Sequence, residues 1–382
     1  VTSDRSMRSL VTEAVGEALS DSGLAAERVD AVFSGNAAAG LITDQEMIRG
    51  QVALRDTGLL GKPIYNVENA CASGSSALNL AWMSVASGQC DVALAVGAEK
   101  MAHEDKVRTF RALAAAVDLE EVRAGGGAGI DSVLVGGGTR SNFMDIYAAQ
   151  ARAYMERSGA TQRSFAEVAV KSHKFASMNP RAQYRKPMTV EEVLAAREVA
   201  WPLTVPMCSP IGDGAAALVL CSDDLADRLG LDGVDILASV VVSGSLEPPH
   251  AMERAVATAY ERAGVGPDDL DVVECHDAAA PAELMCYESI GLCGPGEGVK
   301  LLEAGETDLG GRVPVNTSGG LLSKGHPVGA TGAAQVYELV TQLRGRAGER
   351  QVEGARVALA QNGGGTIGTD AGAMAVTILA TR

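Results

Sequence analysis

The sequence predicts an α/β fold made of two similar halves, and three observations lead to it. Short apolar segments typical of buried parallel strands alternate with amphipathic helical segments along the chain. The strand at 29–35 and the helix before it recur at 270–276, so that Asp30 and Asp271 occupy equivalent places 241 residues apart. A glycine-rich turn that leads into an apolar helix occurs once in each half. A duplicated chain of this kind is expected to carry its functional site where the halves meet.

The periodicity places each element in order. The first part of the chain is predicted to contain helices at 6–23, 48–59 and 77–86, the end of a buried strand at 63–69, and strands at 29–35 and 91–97. The middle is predicted to contain loops at the glycine runs 125–129 and 136–138, helices at 144–155, 165–178 and 190–197, and a strand at 215–221. The last part is predicted to contain strands at 234–243, 271–276, 355–361 and 373–380, helices at 252–264 and 281–291, and a glycine-rich loop at 319–332 whose helix ends near 343.

These elements predict an N-terminal half at 1–225 and a C-terminal half at 226–382. The second half begins with a strand at 234–243 and the first with a helix, so a first strand equivalent is expected to be missing or to lie outside this sequence. The region 101–200 is predicted to be an insertion that covers a site. Its many Arg and Lys residues suggest either a cationic rim or an ordinary solvated helical surface.

Composition limits the classes of function. The formal net charge is −16, which argues against nucleic acid and an anionic membrane surface as partners. Seven cysteines with no CxxC pair indicate reduced thiols, a cytoplasmic location and no structural metal site. No apolar run is long enough to span a membrane, and no secretory signal is visible.

One cysteine lies where a strand turns into a helix, in Asn69-Ala-Cys-Ala-Ser-Gly74. Free backbone N–H groups and the helix dipole at such a position favour the thiolate of Cys71, so its pKa is expected to be lowered. The small neighbouring residues leave room for a substrate. The alternative is a buried, inert cysteine that serves as a small hydrophobic residue.

Two of the five histidines lie in suggestive places. His276 ends a predicted strand, and His326 lies in a stretch rich in glycine whose backbone N–H groups can bind an oxyanion. A histidine there can act as a base for a thiol or as an oxyanion donor. The alternatives are a strand-end core histidine and a satisfied loop histidine. Asn362 precedes three glycines at a predicted strand end, where a simple turn residue is the default interpretation.

Four motifs together resemble the thiolase superfamily, and the chain is most similar to the sterol-carrier-protein-type thiolases and their bacterial lipid-transfer relatives. The motifs are Asn69-Ala-Cys-Ala-Ser-Gly, His276-Asp followed by Pro281-Ala-Glu-Leu, Gly325-His-Pro-Val-Gly-Ala-Thr-Gly and the closing Gly-Gly-Gly. The resemblance covers essentially the whole chain. It implies a duplicated five-layered α/β/α/β/α fold with an inserted loop domain, a homodimer, coenzyme A as co-substrate and no permanently bound cofactor.

The resemblance also implies roles for individual residues. Cys71 would carry the acyl group as a thioester, His326 would activate it, and His276 would help to form an oxyanion hole. The remaining implied site residues are Asn362 and Gly364 as secondary oxyanion groups, and Ser318, Gly319 and Gly325 as contacts to the substrate or coenzyme A.

The chain departs from the family pattern at its second acid/base thiol. Most thiolases have a cysteine in the final motif, where this chain has Asn362, and the sterol-carrier type often has one where this chain has Ala278. Strand alternation is expected to turn Cys275 to the face opposite His276. The departure casts doubt on acetoacetyl-CoA condensation and suits cleavage of branched or aromatic 3-oxoacyl-CoA, such as benzoylsuccinyl-CoA. Some relatives with this pattern resemble enzymes that work beside a small zinc-containing OB-fold protein.

The sequence therefore predicts a coenzyme-A-dependent C-acyltransferase that runs thiolytically through an acyl-cysteine at Cys71, with His326 as the base. Two alternatives remain open. One is a retro-aldolase that acts on a β-hydroxyacyl-CoA, and the other is a non-catalytic subunit that binds acyl-CoA and supports a partner.

Overall fold

The computed structural model describes residues 4–127, 131, 133–134 and 140–382. Its strands are β1 Ala31–Gly35, β2 Ile64–Val67, β3 Val92–Glu99, β4 Glu198–Ala200, β5 Leu203–Thr204, β6 Gly214–Cys221, β7 Val234–Ser243, β8 Val272–Glu274, β9 Val357–Ile367 and β10 Asp370–Thr381. Its helices are α1 Met7–Ser22, α2 Ala39–Thr43, α3 Arg49–Ala53, α4 Ser73–Ala86, α5 Lys106–Ala114, α6 Leu119–Ala124, α7 Asn142–Ser158, α8 Gln162–Ser177, α9 Val190–Ala195, α10 Asp223–Leu229, α11 Ala251–Ala263, α12 Ala280–Ser289, α13 Gly298–Glu303 and α14 Thr331–Leu343.

Two four-stranded sheets form the frame, in the orders β2-β1-β3-β6 and β7-β10-β9-β8. Helices α4 and α14 lie between the sheets, α1 covers the outer face of the first sheet, and α11 covers the outer face of the second. The predicted five-layered α/β/α/β/α fold is confirmed. Helices α5 to α9 and strand β4 belong to the region 101–200 that was predicted as an insertion, and β5, which pairs with β4, lies just beyond it. The glycines at 129 and 136–138, expected to form loops, lie outside the described residues.

The two halves repeat the same hydrogen bonds. In the first, β1 pairs in parallel with β3, and a carboxylate oxygen of Asp30 accepts from two backbone amides at the start of β3, both at 2.9 Å. In the second, β8 pairs in parallel with β9, and Asp271 accepts from two backbone amides at the start of β9, at 2.7 and 2.9 Å. The repeat read from the sequence is therefore an architectural duplication. Strand β7 has no counterpart among the described strands of the first sheet.

Glycines let the two central helices approach each other closely. A Cβ on Gly74, at the start of α4, would lie 2.7 Å from the carbonyl oxygen of Gly329. A Cβ on Gly332, in α14, would lie 2.6 Å from the backbone nitrogen of Ser75. The halves are therefore joined backbone to backbone just beside the turn that carries Cys71.

Three sequence expectations about local structure are wrong. Strand β2 is half-exposed rather than buried, because it lies at the edge of its sheet and pairs with β1 on one side only. The helix expected at 48–59 is limited to α3. Strand β9 continues through Ile367, because its pairing with β10 extends across the three glycines, so Asn362 lies inside a strand and not at a turn.

Many basic side chains of the inserted region pair with acidic residues. Arg157 contacts Glu288 at 2.8 Å, and Lys174 contacts Asp308 at 2.8 Å. Paired charges of this kind fit the ordinary solvated surface better than a cationic rim. None of the described helices combines the length and apolar character that crossing a membrane requires.

Candidate active site

A cavity of about 1280 Å³ brings together the three residues expected to be catalytic. The sulfur of Cys71 and one ring nitrogen each of His276 and His326 all lie within 4.8 Å of one another. The two imidazole rings meet edge to face, with centroids 5.1 Å apart. The segment of the first half that carries Cys71 thus meets the two segments of the second half that carry His276 and His326.

Cys71 lies on a strained turn between β2 and α4. Ala70 has a φ of +47°, which is uncommon for a residue with a side chain. Ser73 fixes the turn, because its hydroxyl accepts from the amide of Asn69 at 2.9 Å and donates to the carbonyl of Ala70 at 2.7 Å. Gly364 of β9 lies directly beneath, since a Cβ there would be 2.1 Å from the Asn69 carbonyl oxygen.

The expected lowering of the Cys71 pKa is wrong. Burial raises the pKa of this thiol to about 12, and the Glu99 carboxylate raises it further. The backbone N–H groups of Gly365 and of Cys71 itself act in the opposite direction, as expected at this turn, but they are outweighed. The resting sulfur is therefore a thiol, and its attack on a carbonyl needs a base.

His326 is oriented to supply that base. Its Nδ1 lies 2.7 Å from Oγ1 of Thr331, whose hydroxyl donates to the carbonyl of Pro327 at 3.2 Å. We assign the ring proton to Nδ1 and a lone pair to Nε2, because the Thr331 hydroxyl can then accept from Nδ1 while it donates to Pro327. Burial, with His276 and Lys324 nearby, holds the pKa of His326 well below its usual value. A neutral imidazole is the form that accepts a proton from a thiol.

His276 lies just beyond β8, and its backbone amide donates to Oε1 of Gln361 at 2.9 Å. Burial lowers its pKa to about 4, so the ring is neutral near pH 7. Its Nε2 is buried without a hydrogen-bond partner among the described residues. An unpartnered ring nitrogen beside Cys71 is suited to donate to the oxygen of a tetrahedral intermediate.

The other expected site residues lie apart from the reacting atoms. Asn362 is buried, and its side-chain oxygen accepts from the hydroxyl of Ser75 at 3.0 Å. Ser318 is buried and bonded through its hydroxyl to Glu274 at 2.6 Å. Gly319 packs against Ala176, where a Cβ would be 2.6 Å from the alanine Cβ. In this structure these residues support the site, and their contact with a substrate stays a prediction.

Gly325 precedes His326 and has a φ of +108°, which favours glycine. A Cβ at this position would lie 2.8 Å from Oε1 of Gln183. Its place beside the base suggests a packing role, and its predicted contact with coenzyme A is also untested.

No second thiol occupies either family position, since Ala278 and Asn362 stand there. Cys275 is buried away from the cavity, with its sulfur 3.3 Å from Nδ2 of Asn316. Sequence reasoning missed Cys208 and Cys286, which line the cavity. Burial raises the pKa of Cys208 to about 12. Cys208 lies in the loop at 206–214, whose two prolines and two glycines before a predicted strand were the available signal.

That loop does reach the site. Ile211 forms an isolated parallel bridge with His326, and Cys208 forms an antiparallel bridge with Ala279. The remaining wall is largely apolar and includes bulky side chains that the motifs did not indicate, namely Phe110, Phe143, Met144, Tyr147, Met252, Met285 and Met374. A large and mostly apolar chamber is typical of a small-molecule site.

Family models match both halves of the chain. The thiolase N-terminal domain matches residues 1–199, and the thiolase C-terminal domain-like model matches residues 240–380. The chain belongs to the thiolase family. Its relatives include an acetyl-CoA acetyltransferase, and the chain is an enzyme of the acyltransferase class.

Relatives within the family include three with informative names. An acetyl-CoA acetyltransferase of Methanothermobacter thermautotrophicus is 41% identical over 377 residues, which cover 96% of this chain and 94% of the relative. Benzoylsuccinyl-CoA thiolase subunit BbsB of Thauera aromatica is 38% identical over 348 residues, or 88% and 84% of the two chains. Human sterol carrier protein 2 is 35% identical over 384 residues, or 97% and 67%.

Solved structures agree with the fold of this thiolase-family chain. A structure titled Ltp2-ChsH2(DUF35) aldolase has a TM-score of 0.79 at 25% identity and covers 99% of this chain and 94% of its own. Human mitochondrial 3-ketoacyl-CoA thiolase in complex with CoA has a TM-score of 0.70 at 18% identity and covers 99% and 93%. The human thiolase is informative for the fold alone.

Proposed function

We propose that this protein cleaves a 3-oxoacyl-CoA with coenzyme A as co-substrate, through an acyl-cysteine at Cys71. The observation that carries the proposal is the meeting of Cys71, His276 and His326 atoms within 4.8 Å in one cavity. A thiol, a neutral base held in one tautomer and a free ring nitrogen are the groups that acyl transfer to cysteine requires.

In the first half-reaction, Nε2 of His326 takes the thiol proton as the sulfur of Cys71 attacks the 3-oxo carbon. His276 donates to the oxyanion, and the C2–C3 bond breaks to leave an acyl group on Cys71 and a carbanion at C2 that must gain a proton. In the second, the thiolate of coenzyme A attacks the acyl-cysteine, and His326 returns the proton to the departing Cys71 sulfur.

We propose a bulky acyl group, branched or aromatic. The volume of about 1280 Å³ and the aromatic and methionine side chains of the wall support this choice, as does the similarity to the benzoylsuccinyl-CoA thiolase subunit. One relative is named an acetyl-CoA acetyltransferase, so the acetyl group is the small acyl group with which a bulky one should be compared.

A retro-aldolase acting on a β-hydroxyacyl-CoA is the second candidate. The similarity to a structure whose title names an aldolase favours it, as does the lack of a thiol at Ala278 and Asn362. That reaction leaves no acyl group on Cys71. The covalent adduct therefore distinguishes the two candidates.

The test is a single turnover with a benzoyl-type 3-oxoacyl-CoA, with acetoacetyl-CoA and with a β-hydroxyacyl-CoA, each read by intact-protein mass. We expect an aroyl adduct that disappears when coenzyme A is added, a smaller yield of acetyl adduct, and no adduct on Cys71→Ala. Cys90→Ala, which removes a thiol far from the cavity, should acylate as the unmodified protein does. Cleavage of the β-hydroxyacyl-CoA without an adduct would instead establish the retro-aldolase, and binding without turnover would favour a supporting subunit.

We also propose a cytoplasmic homodimer. The seven cysteines are all free, in keeping with a reducing compartment. The open edge of β2 carries Tyr65, which is 53% exposed, and Ile48 nearby is 60% exposed. Light scattering of the protein and of Tyr65→Lys tests this interface, and a monomeric unmodified protein would refute it.

A small zinc-containing OB-fold partner is proposed as well, because a similar structure is titled as a complex with a DUF35 chain. Co-expression with the DUF35 chain of that complex and size-exclusion chromatography test whether this protein binds such a chain. Separate elution of the two proteins would count against the proposal.

A further inference from the structure

A tyrosine of the inserted region shares the cavity of the reacting atoms. Tyr147 lies on α7 and lines the same cavity as Cys71, His276 and His326. Its ring packs against the hydrophobic core that the inserted region shares with the second half. Its hydroxyl makes no hydrogen bond to any other residue in the described part of the chain. Packing of the ring, and not a hydrogen bond from the hydroxyl, therefore holds this half-buried side chain in place.

The pKa of Tyr147 depends partly on the nucleophile Cys71. Burial raises the pKa of its hydroxyl, and the Cys71 sulfur and the Asp277 carboxyl nearby raise it further. The phenol is therefore protonated near neutral pH and carries a proton that faces the cavity. The pKa values of Tyr154, Tyr260 and Tyr287 are also raised, but by burial and by groups other than Cys71.

The proposed reaction lacks a donor for one proton. When the C2–C3 bond breaks, C2 becomes a carbanion, and His326 at that moment holds the Cys71 proton. Ala278 and Asn362 stand where the family has a thiol, and the Asn362 side chain is turned to Ser75. A proton source on another element is needed.

We infer that Tyr147 is a catalytic residue that gives its proton to C2 of the cleaved acyl-CoA and regains it from the thiol of coenzyme A. This inference rests on the proposed function. The O–H bond of Tyr147 breaks as the new C–H bond forms, which leaves a tyrosinate. The tyrosinate takes the S–H proton of coenzyme A, and the resulting thiolate attacks the acyl-cysteine. The cycle uses one substrate and one coenzyme A, forms two acyl-CoA products and leaves every side chain in its starting state.

Three rivals for this role line the same cavity, and one of them, Tyr184, is 43% exposed with its ring stacked on His173. Cys208 and Cys286 are thiols and could carry the C2 proton. Cys286 lies with its sulfur 3.8 Å from Oε1 of Gln361, and the high pKa of Cys208 also leaves it protonated. The S–H of Cys286 is directed to Gln361, and the pKa of Cys208 is raised by burial and not by Cys71. Tyr147 has a hydroxyl without a hydrogen bond among the described residues and a pKa that Cys71 raises, so it is the better candidate.

The experiment measures proton transfer to C2 separately from acylation of Cys71. Tyr147→Phe is assayed for cleavage of the 3-oxoacyl-CoA and, separately, for acylation of Cys71 by a nitrothiophenyl aroyl thioester. That probe has no C2 carbanion, and its leaving thiolate needs no proton. Tyr154→Phe is the matched control, because it removes a hydroxyl from the same helix, where it bonds to Glu288 at 2.7 Å outside the cavity.

We expect Tyr147→Phe to lose cleavage by about 100-fold or more while acylation by the thioester stays within about threefold, because general acid–base groups contribute roughly 10²–10⁴ in rate. Its unfolding temperature should not fall, since no hydrogen bond is lost. Tyr154→Phe should cleave normally and unfold at a lower temperature.

Cleavage by Tyr147→Phe at the rate of the unmodified protein would overturn the inference and leave the proposed function standing. Loss of cleavage in Cys208→Ala or Cys286→Ala would then assign the proton to that thiol. Equal losses of cleavage and acylation in Tyr147→Phe would also overturn it, because they indicate a disturbed cavity. Failure of the unmodified protein to acylate with either reagent would refute both the inference and the proposed function.

Discussion

Nδ1 of His326 lies 2.7 Å from the hydroxyl oxygen of Thr331, and this contact fixes which ring nitrogen can serve as a base. Thr331 is the first residue of α14 and His326 precedes it by five positions. The start of the helix therefore holds the ring, and the threonine hydroxyl donates to Pro327 rather than to the ring.

Replacing Thr331 with Val should slow acylation of Cys71 by about 10- to 100-fold, less than the roughly 10²–10⁴ of a general base, because the base itself remains. Valine keeps the shape but leaves the Nδ1 proton unpaired, so the other tautomer, with its proton on Nε2, becomes populated. Thr331→Ser should restore most of the rate. Thr341→Val on the same helix is the control, since among the described residues that hydroxyl bonds only to a helix carbonyl, at 2.7 Å. Equal rates for Thr331→Val and the unmodified protein would remove Thr331 from the mechanism.

The high pKa of Cys71 predicts its reactivity in the absence of substrate. With a pKa of about 12, the thiolate fraction rises tenfold for each pH unit between pH 7 and pH 10. Alkylation by iodoacetamide, followed by peptide mass at Cys71, should rise in the same way and stay far slower than that of glutathione. A plateau between pH 6 and pH 8 would instead indicate a thiolate already formed at rest.

A buried ion pair joins the inserted region to the second half, and its loss should be costly. Nζ of Lys171, on α8, lies 2.6 Å from Oε1 of Glu283 on α12, and both side chains are buried. Lys171→Met should destabilise the fold by about 3–5 kcal/mol, because it leaves a buried carboxylate without its cation. Denaturant unfolding measures this loss.

Lys174→Met is the matched control for that variant. It removes a lysine from the same helix whose side chain is 52% exposed and pairs with Asp308. An exposed pair contributes about 1 kcal/mol or less, so the change should be small. Similar losses for the two variants would contradict the assigned burial of the Lys171 pair.

Much of the fold could be predicted from the sequence because it depends on local patterns. Helix α1 begins after the cap Ser6 and ends at Gly23 in the left-handed conformation, as the periodicity and the glycine indicated. The duplication was visible because Asp30 and Asp271 keep the same spacing to their strands. The grouping of Cys71 with His326 followed from motifs and not from periodicity.

What the sequence could not supply depends on tertiary neighbours. The pKa of Cys71 is set by burial and by Glu99, which is distant in the sequence, so a rule about helix starts predicted the wrong direction. The exposure of β2 depends on its place at the sheet edge, which an apolar run does not encode. Tyr147 has no motif, and only the packing of α7 brings it into the cavity.

The closest approach of the two halves yields the last prediction. A Cβ on Gly332 would lie 1.9 Å from Oγ of Ser75 and 2.6 Å from its backbone nitrogen, both far inside contact distance. A side chain there must push α14 away from α4. Because α14 follows His326 and α4 follows Cys71, that movement separates the base from the nucleophile.

Gly332→Ala should therefore destabilise the protein by about 3 kcal/mol or more, as overpacking against fixed backbone does, and the folded fraction should acylate poorly. Gly16→Ala is the control, because a Cβ on Gly16 in α1 meets nothing within 4 Å, and it should stabilise the helix by about 0.5–1 kcal/mol. Denaturant unfolding and acylation of both variants measure the two effects. Normal stability and acylation in Gly332→Ala would mean that the central helices tolerate separation, and that their contact does not position the site.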